Sequence, residues 1–207
     1  MLKKILYGLF LFSVCHISTS LAISNSNTCP KIQVCFTPGQ NCTAKITDVI
    51  DAAQQSIFVQ AYSFTSAPIA AHLVAAKKRG VKVNVILDKS QKTQRYSASR
   101  FLVNQHIPCW IDYKPAIAHN KIMIIDEKAV ITGSFNFTKA AQNKNAENLL
   151  IIRDPALANI YLKNWQRRRA VSNYLNPHHE PQRHSFFKKS LNKCTTQILI
   201  LQRIIGH

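Results

Sequence analysis

The chain has 207 residues, of which 27 are lysine or arginine and 9 are aspartate or glutamate. This length is enough for one well-buried domain and excludes two. The formal net charge of +18 at pH 7 indicates a polyanionic partner.

The N-terminal residues have the pattern of an export signal. Lys3 and Lys4 give a short positive region, which is followed by a mostly apolar run over residues 5–14 and by Ser20-Leu21-Ala22. This pattern predicts a secretory signal peptide over residues 1–22 and a secreted or periplasmic protein. A retained anchor is the less favoured interpretation, because the apolar run is well short of the roughly 20 residues that a spanning helix needs.

The predicted mature chain has an odd number of cysteines: Cys29, Cys35, Cys42, Cys109 and Cys194. Cys35 and Cys42 flank a turn-rich segment that a disulfide could close in an oxidising compartment, and the sequence leaves open whether they pair. Cys109 lies in an apolar segment and is expected in the core. No cysteine or histidine spacing predicts a zinc site, and we expect no metal and no cofactor.

Short apolar strands alternate with helical patterns along the chain, which favours an α/β sandwich formed by one domain over residues 23–175. The expected elements are strand 32–36, helix 43–55, strand 57–62, helix 67–78, strand 81–87, helix 96–104, strand 107–112, hairpin strands 122–125 and 129–132, strand 149–153 and helix 155–174.

The most specific pattern in the chain is H-x-K-x4-D-x6-G-S-x-N, formed by His119, Lys121, Asp126, Gly133, Ser134 and Asn136. Six fixed residues at fixed spacing occur by chance in roughly one chain in 10⁵ of this size. Side chains two apart in a strand share a face, so His119 and Lys121 should project together. An imidazole nucleophile beside a phosphate-binding cation is typical of a phosphodiesterase.

This pattern resembles the HKD motif of the phospholipase D superfamily. Five other segments look like its Nuc-like subgroup of small secreted bacterial endonucleases, namely residues 61–66, 78–83, 86–88, 117–121 and 145–148. The resemblance covers about residues 32–174. It implies a phospholipase D-like α/β sandwich with a central mixed sheet flanked by helices.

The resemblance also implies a mechanism. In the superfamily one histidine attacks phosphorus to give a phosphohistidine, while a second protonates the leaving oxygen and later activates water. This chain has one such motif, so the resemblance implies a homodimer in which two copies of His119 meet across a two-fold axis. Imidazole titrates near pH ~6.5 and can therefore serve in either form.

Individual roles follow from the same resemblance. Lys121, Ser134 and Asn136 would bind the phosphoryl oxygens. Glu147 looks like the carboxylate that bonds the other ring nitrogen of the histidine, its alternative being a charge at the end of a strand. Asp126 is included among the catalytic candidates as a motif member, although its odd offset from Lys121 favours support of the loop or the dimer.

The predicted C-terminal tail, residues 176–207, and the helix before it are rich in positive charge. Trp165, Tyr174, Phe186 and Phe187 lie among these cations. Such a mixture can contact phosphates and stack bases, or it can be a solvated helix face and a loose tail. An apolar patch near the end, residues 198–205, can pack on the domain or touch a bilayer.

Three functions are compatible with these features. The first is a metal-independent endonuclease that hydrolyses DNA or RNA. The second is a phospholipase D acting on anionic or phosphatidylcholine membranes, because the same chemistry serves both substrates. The third is an inactive nucleic-acid or membrane-binding module, which the intact motif disfavours.

Overall fold

The computed structural model describes residues 29–176. The predicted signal peptide and the predicted tail from residue 177 onward lie outside these residues. The described strands are β1 (Lys31–Thr37), β2 (Ser56–Ala61), β3 (Lys82–Asp88), β4 (Cys109–Asp112), β5 (Lys121–Ile125), β6 (Ala129–Gly133), β7 (Glu147–Arg153) and β8 (Asn173–Tyr174). They form one sheet in the order β1-β7-β6-β5-β2-β3-β4-β8.

Helices flank this sheet. They are α1 (Cys42–Asp51), α2 (Ala67–Lys78), α3 (Ser99–Asn104), α4 (Lys139–Asn143) and α5 (Pro155–Ala170), with a 3₁₀ helix at Lys89–Lys92. The larger core holds α1, α2 and α3 against one face of the sheet. The smaller core places Leu162 and Trp165 of α5 against Phe58 on the other face.

The sheet is mixed, because β2 pairs in parallel with β3 and antiparallel with β5. Every residue of β2 is buried, as expected for a central strand covered on both faces. The indole N–H of Trp165 donates to the carbonyl of Val59 at 2.8 Å and so ties α5 to this strand. The expected α/β sandwich with a central mixed sheet is confirmed.

The topology brings several loops together at one end of the strands. We call this end of the sheet the site edge, as distinct from the edge strands β1 and β8. Strands β2, β3 and β4 are parallel, so their C-terminal ends lie at this edge. Antiparallel β5 starts there, with Lys121 opposite Ala61. The end of β6 and the start of β7 also lie there, since Gly133 pairs with Leu149.

Helix α1 ends at Asp51, although the sequence pattern predicted a helix to residue 55. The cause is a distant side chain: the Asp126 carboxylate accepts hydrogen bonds from the backbone N–H groups of Gln54, Gln55 and Ser56, at 2.7–2.9 Å. These bonds hold the segment as a turn into β2.

The predicted C-terminal helix is also too long. Helix α5 ends at Ala170, and Asn173 and Tyr174 instead pair with Ile111 and Trp110 of β4. Other boundaries moved by up to three residues, with α3 starting at residue 99 and β7 at residue 147. The 3₁₀ helix and α4 were not predicted; each is short and is capped by the side chain of the residue before it, Asp88 and Thr138 respectively.

Cys35 and Cys42 form a disulfide, with an S–S distance of 2.03 Å, that joins β1 to the start of α1. Cys109 is a buried free thiol, as expected, and its burial raises its pKa. Within residues 29–176 no helix combines the length and apolar character needed to cross a bilayer.

Candidate active site at the sheet edge

His119 and Lys121 lie together where the chain enters β5. His119 precedes the strand and is exposed, whereas Lys121 is the first strand residue and is only 7% exposed. The Lys121 Nζ atom is 3.0 Å from His119 Nε2 and donates to the His119 carbonyl at 2.8 Å. An ammonium hydrogen directed at Nε2 favours the tautomer whose ring proton is on Nδ1.

The backbone of this segment is held by β2. The backbone N–H of Tyr62 donates to the backbone carbonyl of Asn120 at 2.7 Å. The side-chain amide of Gln60 donates to Asn120 Oδ1 at 3.0 Å. Gln60 is buried, so this bond also satisfies a polar group inside the sheet. Both contacts fix the residue between His119 and Lys121.

Asp88, at the end of β3, fixes the residue before His119. Its buried carboxylate accepts the N–H of Ala118 at 2.7 Å and that of Ser90 at 2.9 Å. Burial alone would raise the pKa of Asp88, but these hydrogen bonds outweigh it and the pKa is lowered. A charged Asp88 therefore anchors the segment that leads into His119.

Ser134, Glu147 and Asn148 form a second group beside the histidine segment. Ser134 Oγ donates to Glu147 Oε2 at 2.6 Å and accepts the N–H of Asn148 at 3.0 Å. Asn145 Nδ2 donates to the other oxygen of Glu147 at 2.9 Å. Within a single described chain the Glu147 carboxylate therefore bonds Ser134 and Asn145. The expected contact between Glu147 and a histidine ring stays a prediction.

Gly133 permits this group to form. Its φ of +137° is one that side chains rarely adopt, and an added Cβ would lie 2.4 Å from the carbonyl oxygen of Asn148. The glycine of the motif is thus required by close backbone approach between β6 and β7.

Asn136 lies on the same side of the site. Its Oδ1 is buried and has no hydrogen-bond partner in the described chain. This oxygen is an acceptor and can take a hydrogen from an incoming donor, whereas a phosphoryl oxygen could be bound only by the Nδ2 hydrogens of the same amide.

These groups surround one open cleft of about 760 Å³. Its lining includes the predicted residues His119, Lys121, Ser134, Asn136 and Glu147. Burial lowers the pKa of the Lys121 ammonium, and the charge of Glu147 opposes this shift. The cleft therefore combines an exposed imidazole with a desolvated cation and several polar groups.

Asp126 is the one motif residue that the structure places elsewhere. It lies in the turn between β5 and β6, at the opposite end of the hairpin from Lys121, and its carboxylate is bound by the three backbone N–H groups described above. The separation follows from the length of β5, whereas the odd offset from Lys121 predicted only that Asp126 supports a loop or the dimer. Asp126 stabilises the fold and does not contact the cleft-lining groups.

Sequence reasoning assigned no role to Tyr62 or Asp88, although both lie in segments that carried the family resemblance. The Tyr62 ring centroid is 4.6 Å from that of His119, and Asp88 holds Ala118. The signal available was position, since each lies at the C-terminal end of a parallel strand, where ligand sites gather in α/β sheets.

The exposed charge on the loops after β3, β4 and β6 is basic: Lys89, Lys92, Arg95, Lys114, Lys139 and Lys144. The acidic residues at this edge are Asp88, Asp112 and the partly buried Glu147. Asp112 is buried and is bound by the Arg168 guanidinium through two bonds of 2.8 Å. Among residues 29–176 no group of three or more potential metal-ligating side chains occurs.

Known proteins share this architecture. A family model described as "Cardiolipin synthase, PLD-like domain" matches residues 46–169. A phospholipase D of Rickettsia felis is 50% identical over 140 residues, 68% of this chain and 70% of that protein. The mitochondrial cardiolipin hydrolase of Homo sapiens is 27% identical over 162 residues, 77% of this chain and 62% of that protein.

Among solved structures, the phospholipase D family member Nuc from Salmonella typhimurium matches with a TM-score of 0.68 at 41% identity, covering 71% of this chain and 99% of that one. The matched region of the family model includes His119, Lys121, Ser134, Asn136 and Glu147. The chain therefore belongs to the phospholipase D superfamily and is a phosphodiester hydrolase.

Proposed function

We propose that this protein is a metal-independent endonuclease that hydrolyses DNA or RNA as a homodimer. The observation that carries the proposal is the charge at the site edge. Basic side chains stand on three loops around His119, whereas two of the three acidic residues there are buried and bonded. Such a surface attracts the continuous negative charge of a nucleic acid and orients it toward the cleft.

The residues can perform a two-step displacement. Lys121 first turns its hydrogen bond from His119 Nε2 to a phosphoryl oxygen, which frees the lone pair of Nε2. This nitrogen of one copy attacks phosphorus, the bond from phosphorus to the leaving oxygen breaks, and His119 of the second copy gives that oxygen its proton. The second His119 then removes a proton from water, the resulting hydroxide attacks phosphorus, and the phosphorus–nitrogen bond breaks. Lys121 and Asn136 stabilise the charge on the phosphoryl oxygens.

In this scheme Glu147 of one copy contacts the histidine of the other copy. In one chain its carboxylate bonds Ser134 and Asn145 at the cleft wall. The hydroxyl hydrogen of Ser134 is used in that bond, so Ser134 positions Glu147 in this arrangement and would donate to a phosphate only after giving it up. We propose that the imidazole reached by Glu147 is that of the second copy.

A surface next to the cleft suits the second copy. Ile32, Val34 and Phe36 alternate along edge strand β1 and are 53%, 45% and 56% exposed; we call them the β1 stripe. Phe36 pairs in register with Asn148, which lines the cleft. An isologous contact through the stripe would bury this apolar surface and bring two clefts together.

Phospholipid hydrolysis is the second candidate. Its specific support is that similar proteins are named phospholipase D and mitochondrial cardiolipin hydrolase. The same basic edge would then face anionic headgroups.

The disulfide supports placing the protein in an oxidising compartment, the periplasm or outside the cell. It agrees with the export pattern in the sequence.

The test compares the wild-type protein with His119→Ala in EDTA on plasmid DNA, single-stranded DNA, RNA, phosphatidylcholine vesicles and cardiolipin-containing vesicles. We expect cleavage of nucleic acid by the wild type, a fall in its rate as salt is raised, and loss of turnover in the variant. Circular dichroism of both proteins is the check that the fold is retained.

Other outcomes are equally clear. Headgroup release without nucleic-acid cleavage would make the protein a phospholipase D. Activity lost in EDTA and restored by added metal would refute metal independence. Substantial turnover by His119→Ala would refute the histidine mechanism for either substrate.

A further inference from the structure

Tyr62 lies immediately after β2, beside the start of β5. Its backbone N–H donates to the carbonyl of Asn120 at 2.7 Å. The backbone of Tyr62 is therefore fixed relative to the segment that carries His119 and Lys121.

The ring of Tyr62 contacts both of these side chains. Its centroid is 4.6 Å from the centroid of the His119 ring, with the two planes inclined by 57°. Lys121 Nζ lies over the same ring, 5.3 Å from the centroid. Tilted aromatic pairs and cations over a ring face are both favourable arrangements at these distances.

Lys121 needs such a neighbour because it is buried without a bonded carboxylate in the described chain. Its hydrogen-bond partners are the ring nitrogen and the carbonyl of His119. The titratable groups around it are His119 on its own segment, Tyr62 beside β2, Glu147 on β7 and Tyr161 on α5. Of these, the charge of Glu147 stabilises the ammonium by Coulombic attraction without a hydrogen bond. The Tyr62 ring stabilises it through a direct cation–π contact.

We propose that Tyr62 is a positioning residue of the active site, whose ring face keeps the Lys121 ammonium protonated and holds the His119 imidazole in its attacking orientation. This inference rests on the roles proposed above for His119 and Lys121. The hydroxyl of Tyr62 has no part in it, so the ring alone should suffice.

Three variants test the inference. Tyr62→Leu removes the ring and Tyr62→Phe keeps it. Tyr174→Leu is the control, because it removes an exposed tyrosine ring on β8, an outer strand of the sheet away from the cleft. The measurements are kcat, KM and the pH–rate profile on bis(p-nitrophenyl) phosphate, a small diester that does not depend on long-range binding. Thermal denaturation is the check that each variant is folded.

For Tyr62→Leu we expect kcat to fall about tenfold to a hundredfold, with a smaller change in KM. The alkaline limb of its pH–rate profile should move to lower pH by about half a unit to one unit, because both cations that face the ring, the Lys121 ammonium and the protonated His119 acid, lose their protons more easily without it. Tyr62→Phe and Tyr174→Leu should keep the wild-type kcat and alkaline limb.

A folded Tyr62→Leu with wild-type kcat and pH profile would refute the inference, and so would a Tyr62→Phe as impaired as Tyr62→Leu. His119→Ala, assayed in parallel, separates this failure from that of the mechanism. If His119→Ala is inactive while Tyr62→Leu is normal, only the role of Tyr62 is wrong. If His119→Ala is active, the proposed chemistry itself is wrong.

Discussion

At the scale of single residues, the important feature of this site is the position of the Lys121 charge. Lys121 is charged, 7% exposed and bonded to imidazole and carbonyl groups rather than to a carboxylate in the described chain. Desolvation is costly when no anion is present, and the cost is recovered when a phosphoryl group enters. We therefore expect the lysine to serve an anionic ligand rather than fold stability.

The motif spacing allowed part of this to be predicted. Because residues two apart share a face, His119 and Lys121 were expected to meet, and Lys121 Nζ does contact His119 Nε2. The bond from Ser134 to Glu147 could not be predicted, since it depends on the register of β6 against β7. Sequence spacing specifies neighbours along a strand but not across strands.

Replacing Lys121 by Met tests this placement. We expect kcat to fall by about a hundredfold to a thousandfold on a small diester, because a preorganised charge at the phosphoryl oxygens is lost. The free energy of unfolding should not fall, because a buried charge is removed. Urea denaturation and steady-state kinetics provide the measurements.

Lys128→Met is the matched control, since Lys128 lies in the exposed turn at the other end of the same hairpin. It should behave as the wild type. A Lys121→Met enzyme with near wild-type kcat would contradict the proposed role.

At the scale of elements, Asp126 links the β5–β6 hairpin to the segment between α1 and β2. Asp126 and Glu127 both have positive φ, +52° and +56°, and the carboxylate of Asp126 takes three backbone N–H groups. Burial tends to raise the pKa of Asp126, but these bonds dominate and lower it. This ion-to-backbone contact sets where α1 stops.

The sequence could not show that contact because it joins residues about seventy positions apart. The local sequence pattern predicted a helix that continues past Asp51. The hydrogen bonds from the backbone to Asp126 end the helix at Asp51 instead. The same limit applies at the C-terminus, where Asn173 and Tyr174 follow a helical pattern but join β4 as an edge strand. Helix α2, whose limits are marked locally by Pro68 and Gly80, was predicted over its full length.

Asp126→Asn should therefore affect stability and not turnover. A lowered pKa means that the charged carboxylate stabilises the fold fully above its unfolded value of about 3.9, and that this stabilisation is lost as the pH falls through the folded value. We expect the variant to lose about 1–3 kcal/mol at pH 7 and to show a weaker loss of stability on acidification than the wild type. Urea denaturation from pH 7 to pH 3 measures both.

Glu127→Gln, the exposed neighbour in the same turn, is the control and should change stability little. Wild-type kcat in a folded Asp126→Asn at pH 7 is the expected result. A large drop in kcat with unchanged stability would place Asp126 in the chemistry after all.

The whole molecule presents a basic edge and, beside it, the apolar β1 stripe. Among the described residues one copy supplies one motif histidine to the cleft, which the proposed chemistry uses in pairs. Assembly and activity should therefore be lost together when the stripe is altered.

Val34→Glu combined with Phe36→Glu introduces charge on the exposed face of the stripe. We expect a folded monomer with at least a hundredfold lower kcat, because a second His119 is no longer supplied. Light scattering after size-exclusion chromatography and kinetics on the small diester are the measurements. Val171→Glu, another exposed apolar position, should leave the dimer and its kcat intact; a fully active monomer would contradict the shared site.

The pairing of β1 also bears on how the chain reaches its native state. Lys31 of β1 pairs with Arg153 of β7, and β1 is an edge strand, so nearly the whole domain must be synthesised before this strand has a partner. Pairings between distant segments slow folding, and an unpaired apolar strand invites aggregation in the meantime. Under the proposed export, late closure of the sheet would leave the chain unfolded, and so able to pass through a translocation channel, until export is complete.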